Sequence, residues 1–156
     1  MRPLVLLVLI AAPSMARAEW NVDSRTDESP PYHAVSQDSR PAGLTLGFWC
    51  REGAPRAVSL VSWTWPLGDE APVKVVVTTQ RGTRTIDFLP TTRRYGTPWR
   101  PTRRDEKDLA GWLEEKSDDG VTLQLADRSG RPLTAVYPGA LGGLLQSLRG
   151  ACHAAE

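Results

Sequence analysis

The sequence predicts an α+β domain in which an antiparallel sheet of about five or six strands carries two helices. Apolar residues alternate along several short segments, which is typical of half-buried strands, and they recur at helical spacing in two later segments. Cys50 and Cys152 are the only cysteines. We expect them to form one disulfide that clamps the C-terminal helix onto the sheet.

Residues 1–18 have the features of a secretory signal peptide. Arg2 supplies a positive charge, an apolar run covers residues 4–12, and Ala-Arg-Ala at 16–18 forms a cleavage site. The run is too short to span a bilayer. We therefore expect residues 19–156 to form a single soluble domain in the periplasm, without a lipid anchor, in which residues 19–42 are an irregular N-terminal arm.

Six segments are predicted as strands. In the first, residues 43–51, apolar side chains alternate with others in a way that places Cys50 on the core side. The remaining segments are 58–65, 73–80, 83–89, 121–125 and 133–137. Turn residues at 81–82 and 127–131 indicate two hairpins.

Two helices are predicted in the second half of the chain. Thr102 and Asp105 have the spacing of a capping box, and the apolar positions that follow are Leu109, Trp112 and Leu113. The second helix covers residues 140–148, where leucines occupy positions 141, 144, 145 and 148. Gly150 is expected to end it, which places Cys152 just beyond the helix.

Neither the composition nor the motifs indicate nucleic-acid binding, a metal site or a catalytic site. The formal charge is +1, and removal of the two leader arginines makes it −1, which gives no support to a nucleic-acid partner. The two histidines, His33 and His153, do not have the spacing of a zinc site, and no nucleophile elbow or phosphate-binding loop occurs. We therefore expect no enzyme, no catalytic residues, no cofactor and no metal.

A candidate interaction surface is formed by tryptophans and by an arginine-rich stretch over residues 81–104. Its members are Trp49, Trp63, Trp65, Trp99, Arg93, Arg94, Arg103 and Arg104. Aromatic rings and arginines are common in protein interfaces, and they also bind anionic glycans. Two plainer interpretations stay open: the tryptophans belong to the core, and the arginines are neutralised by the acidic helix that follows.

The order of landmarks along the chain resembles the VasI/TagO-like family, periplasmic accessory proteins of type VI secretion. The landmarks are Trp20 in Glu-Trp-Asn-Val, a strand ending at Cys50, Trp65-Pro-Leu-Gly, Trp99 in a loop, and a terminal helix leading to Cys152. A wider set of small exported proteobacterial domains has a similar order.

The resemblance implies a non-enzymatic periplasmic accessory protein that binds an envelope protein and is linked to type VI secretion assembly. The alternative is a small disulfide-stapled inhibitor or binder of a cell-wall hydrolase or an anionic glycan. In that case the arginine-rich stretch should protrude as a basic loop, and binding should weaken with salt.

Overall fold

The computed structural model describes residues 19–63, 72–91, 98–127 and 129–152. Within these residues the elements follow one another as β1 (Asn21–Arg25), β2 (Tyr32–Ser39), β3 (Leu44–Arg51), β4 (Ala57–Ser62), β5 (Val73–Thr79), β6 (Gly82–Pro90), β7 (Pro98–Arg100), α1 (Arg103–Lys116), β8 (Val121–Ala126), β9 (Pro132–Tyr137) and α2 (Gly142–Cys152).

The strands form one nine-stranded sheet in the order β1-β2-β3-β4-β7-β6-β5-β8-β9, and the described pairs are all antiparallel. The sheet curls into a half-barrel. The expected sheet of five or six strands is therefore wrong. The six predicted strands are present as β3, β4, β5, β6, β8 and β9, and two helices are present as expected.

The three additional strands lie where the sequence lacks apolar alternation. β1 and β2 occupy residues 19–42, which were expected to be an irregular arm. Every residue of β1 is exposed, and on β2 the buried positions include the polar Gln37 and Ser39. β7 has three residues and falls in the connection rich in proline and arginine. Buried positions do alternate along β2, but two of the three are polar, so the sequence shows no apolar alternation there. Main-chain pairing with neighbouring strands places the three segments in the sheet.

The two helices lie against the concave face of the sheet. On β3 this face carries Cys50, which is bonded to α2, together with the buried Leu44, Leu46 and Phe48. α1 begins with the predicted cap, since Thr102 Oγ1 accepts from the amide of Asp105 at 3.2 Å. The convex face of β3 therefore carries the alternate residues Thr45, Gly47, Trp49 and Arg51.

α2 extends further than the sequence predicts, because it continues through Gly150 to Cys152. Its first residue, Gly142, lies against the end of α1. A Cβ atom at this position would come within 2.5 Å of the Glu114 carbonyl oxygen, so a residue with a side chain would push the helices apart. The carbonyl of Ser117 accepts from the amides of Leu141 and Gly142 at 3.0 and 3.2 Å, which joins the end of α1 to the start of α2.

The curl of the sheet brings its last strand back to β2. The amide of Val136 on β9 donates to Ser39 Oγ at 3.1 Å, and the Tyr137 hydroxyl donates to the Leu44 carbonyl at 3.3 Å. Burial raises the pKa of Tyr137, which keeps this hydroxyl protonated. Trp20 stacks on Tyr137 with ring centroids 6.1 Å apart. Among the described residues, no helix is both long and apolar enough to cross a membrane.

Candidate functional site

The Cys50–Cys152 disulfide is present, as the sequence predicts. It joins the concave face of β3 to the last residue of α2, and the two Cα atoms are 6.1 Å apart. The amide of Gly53 donates to the Cys152 carbonyl at 2.8 Å and adds a main-chain link at the same place. The bond thus holds α2 inside the half-barrel, which is a structural role.

Of the described tryptophans in the candidate surface, Trp63 is the most exposed. It follows β4 and is 60% exposed. Its indole Nε1 donates to Thr45 Oγ1 at 2.6 Å, and Thr45 Oγ1 donates to Asp38 Oδ1 at 2.6 Å. Because Thr45 lies on the convex face, this chain of hydrogen bonds fixes one edge of the exposed indole there.

Trp49 lies on the same convex face but belongs to a row of stacked aromatic and arginine side chains. Its ring centroid is 6.1 Å from that of Tyr32 and 5.2 Å from the guanidinium carbon of Arg100. Arg25 and Arg51 lie 5.6 and 5.8 Å from the Tyr32 ring. Partial burial raises the pKa of Tyr32. We call these five residues the aromatic–arginine row; its rings are largely used in contacts within the protein.

Trp99 does not belong to a surface, so its placement in the candidate interaction surface is wrong. It is 2% exposed and lies opposite Leu60, which faces the core. The sequence was interpreted as a loop here, whereas the short β7 gives Trp99 a definite inward direction. Trp65, Arg93 and Arg94 lie outside the described residues.

Arginines of the 81–104 stretch have two kinds of environment. Arg103 and Arg104 are exposed in the first turn of α1. Arg81 instead pairs with Asp118, and the Arg84 guanidinium lies 5.3 Å from the centroid of Trp112. Arg81 is therefore paired with a carboxylate just beyond α1, as the neutralisation interpretation predicts, whereas Arg84 contacts an uncharged ring of α1.

Two ionic clusters connect the helices to the sheet, and the sequence analysis found neither of them. Glu114 on α1 accepts from Arg56 and Arg149, each at 2.8 Å. Glu106 accepts from Arg100 at 2.8 and 3.1 Å. The Arg56 side chain is 2% exposed, so this pairing compensates a charge that is buried away from water. The partners Arg56 and Glu114 are 58 positions apart, and no local pattern in a single sequence indicates such a pair.

A groove runs between β1 and α2 and was also missed, because its wall β1 was not predicted. It consists of two cavities, of about 470 and 140 Å³, which share Leu144. The larger cavity lies beside Trp20, between Glu19 and Asp119. The smaller one is lined mainly by apolar and small residues, among them Val22, Val35, Leu148 and Ala151. We call this the β1–α2 groove.

His33 and Ser24 meet in the wall of this groove. His33 Nδ1 and Ser24 Oγ are 3.0 Å apart, on paired positions of β2 and β1. Nucleophilic catalysis by such a pair also needs a group that orients the histidine and donors for an oxyanion. Within the residues described, no carboxylate bonds to this ring. Nor does any group of histidine, cysteine and carboxylate side chains there have the arrangement of a metal site.

Comparison with known proteins gives no further identification. No protein family, no curated protein and no solved structure matches this chain at a significant level. The resemblance to the VasI/TagO-like family therefore stays a prediction.

Proposed function

We propose that this protein is an exported, non-enzymatic accessory protein that acts by binding another protein of the cell envelope. The resemblance to the VasI/TagO-like family extends the proposal to a component of type VI secretion assembly. The observation that carries it is Trp63, an indole that is 60% exposed and whose edge is bonded to Thr45.

An exposed tryptophan of this kind is suited to binding. Burial of such a ring in a partner removes a large apolar area from water, and tryptophans are enriched among the residues that dominate interface energies. Ordering a side chain costs free energy on association, and the hydrogen bonds from Trp63 to Thr45 and from Thr45 to Asp38 lower that cost. The convex face thus presents one preorganised anchor.

The alternative, binding to an anionic glycan or inhibition of a wall hydrolase, depends on arginines. Arg103 and Arg104 support it, since both are exposed at the start of α1. Arg81 and Arg84 weaken it, because each is engaged with the α1 side of the protein itself. We therefore favour the protein partner and keep the alternative as the competing outcome of the test.

The test is a crosslinked pull-down of the tagged protein from its native envelope, followed by mass spectrometry. Three variants are compared with the unchanged chain: Trp63→Ala, Val136→Ala, and the combination Arg103→Ser with Arg104→Ser. Val136 is the matched control, since it is 54% exposed on another strand. We expect recovery of a type VI or other envelope-spanning secretion component, lost with Trp63→Ala and kept with the other two variants.

Recovery of a wall hydrolase or of glycan fragments, lost with the arginine variant and kept with Trp63→Ala, would contradict the proposal and support the alternative. Equal recovery of the secretion component by Trp63→Ala and by Val136→Ala would show that Trp63 is not the anchor. Circular dichroism of each variant checks that loss of binding does not reflect loss of the fold.

A further inference from the structure

We propose that the β1–α2 groove binds an extended peptide segment of a partner protein, which adds as a further strand to the free edge of β1. The segment has an apolar side chain followed, two positions later, by a lysine or arginine. This surface is separate from the convex face that carries Trp63.

One edge of β1 has no neighbouring strand among the residues that the structure describes. Among the strands that the structure describes, β1 is paired with β2 alone. Its other edge therefore presents main-chain donors and acceptors in a row, which is the template used when a peptide adds to a sheet. The five residues of β1 are all exposed, and Val22 is 63% exposed.

Apolar side chains line the groove beside that edge of β1. Val22 lies opposite Val35, and both line the smaller cavity together with Leu144 and Leu148 of α2. Side chains of an added strand would alternate, so every second one would point toward α2. Successive inward side chains are about 7 Å apart, and the two cavities adjoin at Leu144, so each cavity accepts one of them.

The charge of the groove differs between its two ends, because the carboxylate that lines the smaller cavity, Asp23, is paired with Arg25 at 3.1 Å. The described residues that line the larger cavity include the carboxylates of Glu19 and Asp119 and no lysine or arginine. With the leader removed after residue 18, the α-amino group of Glu19 offsets one of these two negative charges, and Asp119 supplies the remaining one. Asp119 accepts from the neutral amide of Gln80 at 2.9 Å, so its charge is not compensated by that bond. Trp20 offers a ring in the same cavity. The remaining negative charge and the indole together favour a cationic side chain.

The described strand pairs of this sheet are all antiparallel, and for a peptide that adds in the same way the positions of the two cavities set the order of its two side chains. Trp20 precedes β1, so the acidic cavity lies toward the start of the strand and the apolar cavity lies further along it. A strand that adds antiparallel to β1 reaches the apolar cavity first and the acidic cavity second. The basic residue therefore follows the apolar one in the partner sequence.

The experiment measures the fluorescence anisotropy of a fluorescein-labelled peptide, Gly-Thr-Val-Thr-Lys-Thr-Gly, titrated with the purified protein. We expect saturable binding that weakens by about tenfold or more with Val22→Asp, which places a charge on the apolar floor. Asp119→Asn should weaken binding by several-fold, as should a peptide with Glu in place of Lys. Val136→Asp is the matched control on the other edge strand and should leave binding unchanged, since Val136 is also more than half exposed but lies outside the groove.

A second peptide tests the strand geometry itself. N-methylation of alternate amides removes main-chain donors while keeping the side chains, and we expect it to abolish binding. Equal binding of the methylated peptide would overturn strand addition. Equal effects of Val22→Asp and Val136→Asp, or no binding at ~1 mM protein, would overturn the groove as the site. Sedimentation that shows a dimer broken by Val22→Asp would overturn the foreign peptide in favour of a second copy of this chain.

Discussion

The two terminal strands of the sheet, β1 and β9, differ in how far the rest of the protein covers them. β9 buries Ala135 and Tyr137 completely, and its Val136 amide is occupied by Ser39 Oγ. β1 has five exposed residues and a single neighbouring strand. Both are terminal strands of one sheet, so position in the topology does not decide how open an edge is. Side chains that reach the strand from elsewhere decide it, as Ser39 does for β9.

The largest expected effect comes from the disulfide, which holds the helix that lies beside β1. Cys50→Ser and Cys152→Ser should each lower the free energy of unfolding by a similar amount, at most about 4–5 kcal/mol for a closed loop of this length. The double variant should add little more, because both single variants remove the same bond. Denaturant unfolding measures the three losses.

The same cysteine variants also test the difference in stability between the two edge strands, β1 and β9. α2 forms one wall of the β1–α2 groove, whereas β9 is held by Ser39 and by its own hairpin. Amide exchange should therefore accelerate more in β1 than in β9. Additive losses in the double variant would contradict the disulfide, and equal acceleration at both edges would contradict the difference between them.

A smaller effect is expected from truncating one side chain on each edge strand. Tyr137→Ala should cost about 3–5 kcal/mol, as is usual for a buried aromatic residue, and here it also removes the hydrogen bond to Leu44. Val22→Ala should change stability by no more than about 0.5 kcal/mol, since the side chain is 63% exposed. Thermal unfolding of the two variants measures the contrast, and similar losses would show that β1 contributes to the core.

The smallest effect is local and concerns the turn between β8 and β9. Asp127 accepts from the Ser129 hydroxyl at 2.7 Å and from the Arg131 amide at 2.9 Å. These bonds favour the ionised form and lower the pKa of Asp127 to about 2, led by the bond from Ser129. Because the folded pKa is the lower one, the turn keeps its full stabilisation above the ordinary value of 3.8 and loses it as the pH falls to about 2.

An NMR titration of the Ser129 and Arg131 amides measures the pKa of Asp127 in the folded turn. The amide shifts should move with a midpoint at about pH 2, and Asp127→Asn should remove the step. A midpoint near 3.8 would show that the turn does not stabilise the carboxylate.

The sequence predicts the elements that carry a local pattern of buried side chains or a local cap, and it misses those that do not. β3 and β8 alternate buried and less buried residues, and the capping box of α1 is a local signal, so each could be located from neighbouring residues alone. β1 has no buried side chain, and β7 has three residues. Their place in the sheet depends on main-chain pairing, of β1 with β2 and of β7 with β4 and β6, and no apolar alternation within these segments indicates it.

The residues of the candidate sites were located or missed for the same reason. Alternation along the strand that places Cys50 on the core side also places Trp49 on the opposite side, and the structure has it there. Trp99 was misplaced because no alternation surrounds it, and the β1–α2 groove was missed because one of its walls was not predicted. The pairing of Glu114 with Arg56 required the packing of α1 near the start of β4, which no spacing in the sequence reveals.

The distance along the chain between the two cysteines has a consequence for the order of events during synthesis. Cys152 follows Cys50 by 102 positions, which corresponds to about 5–20 s of elongation. Over that interval the residues of β3 have been made, while α2, which packs on β3 and carries Cys152, has not. In the exported protein that we propose, the earlier part of the chain also crosses the membrane first. Cys50 therefore reaches the oxidising compartment before its partner, and its thiol stays unpaired there until the end of the chain follows.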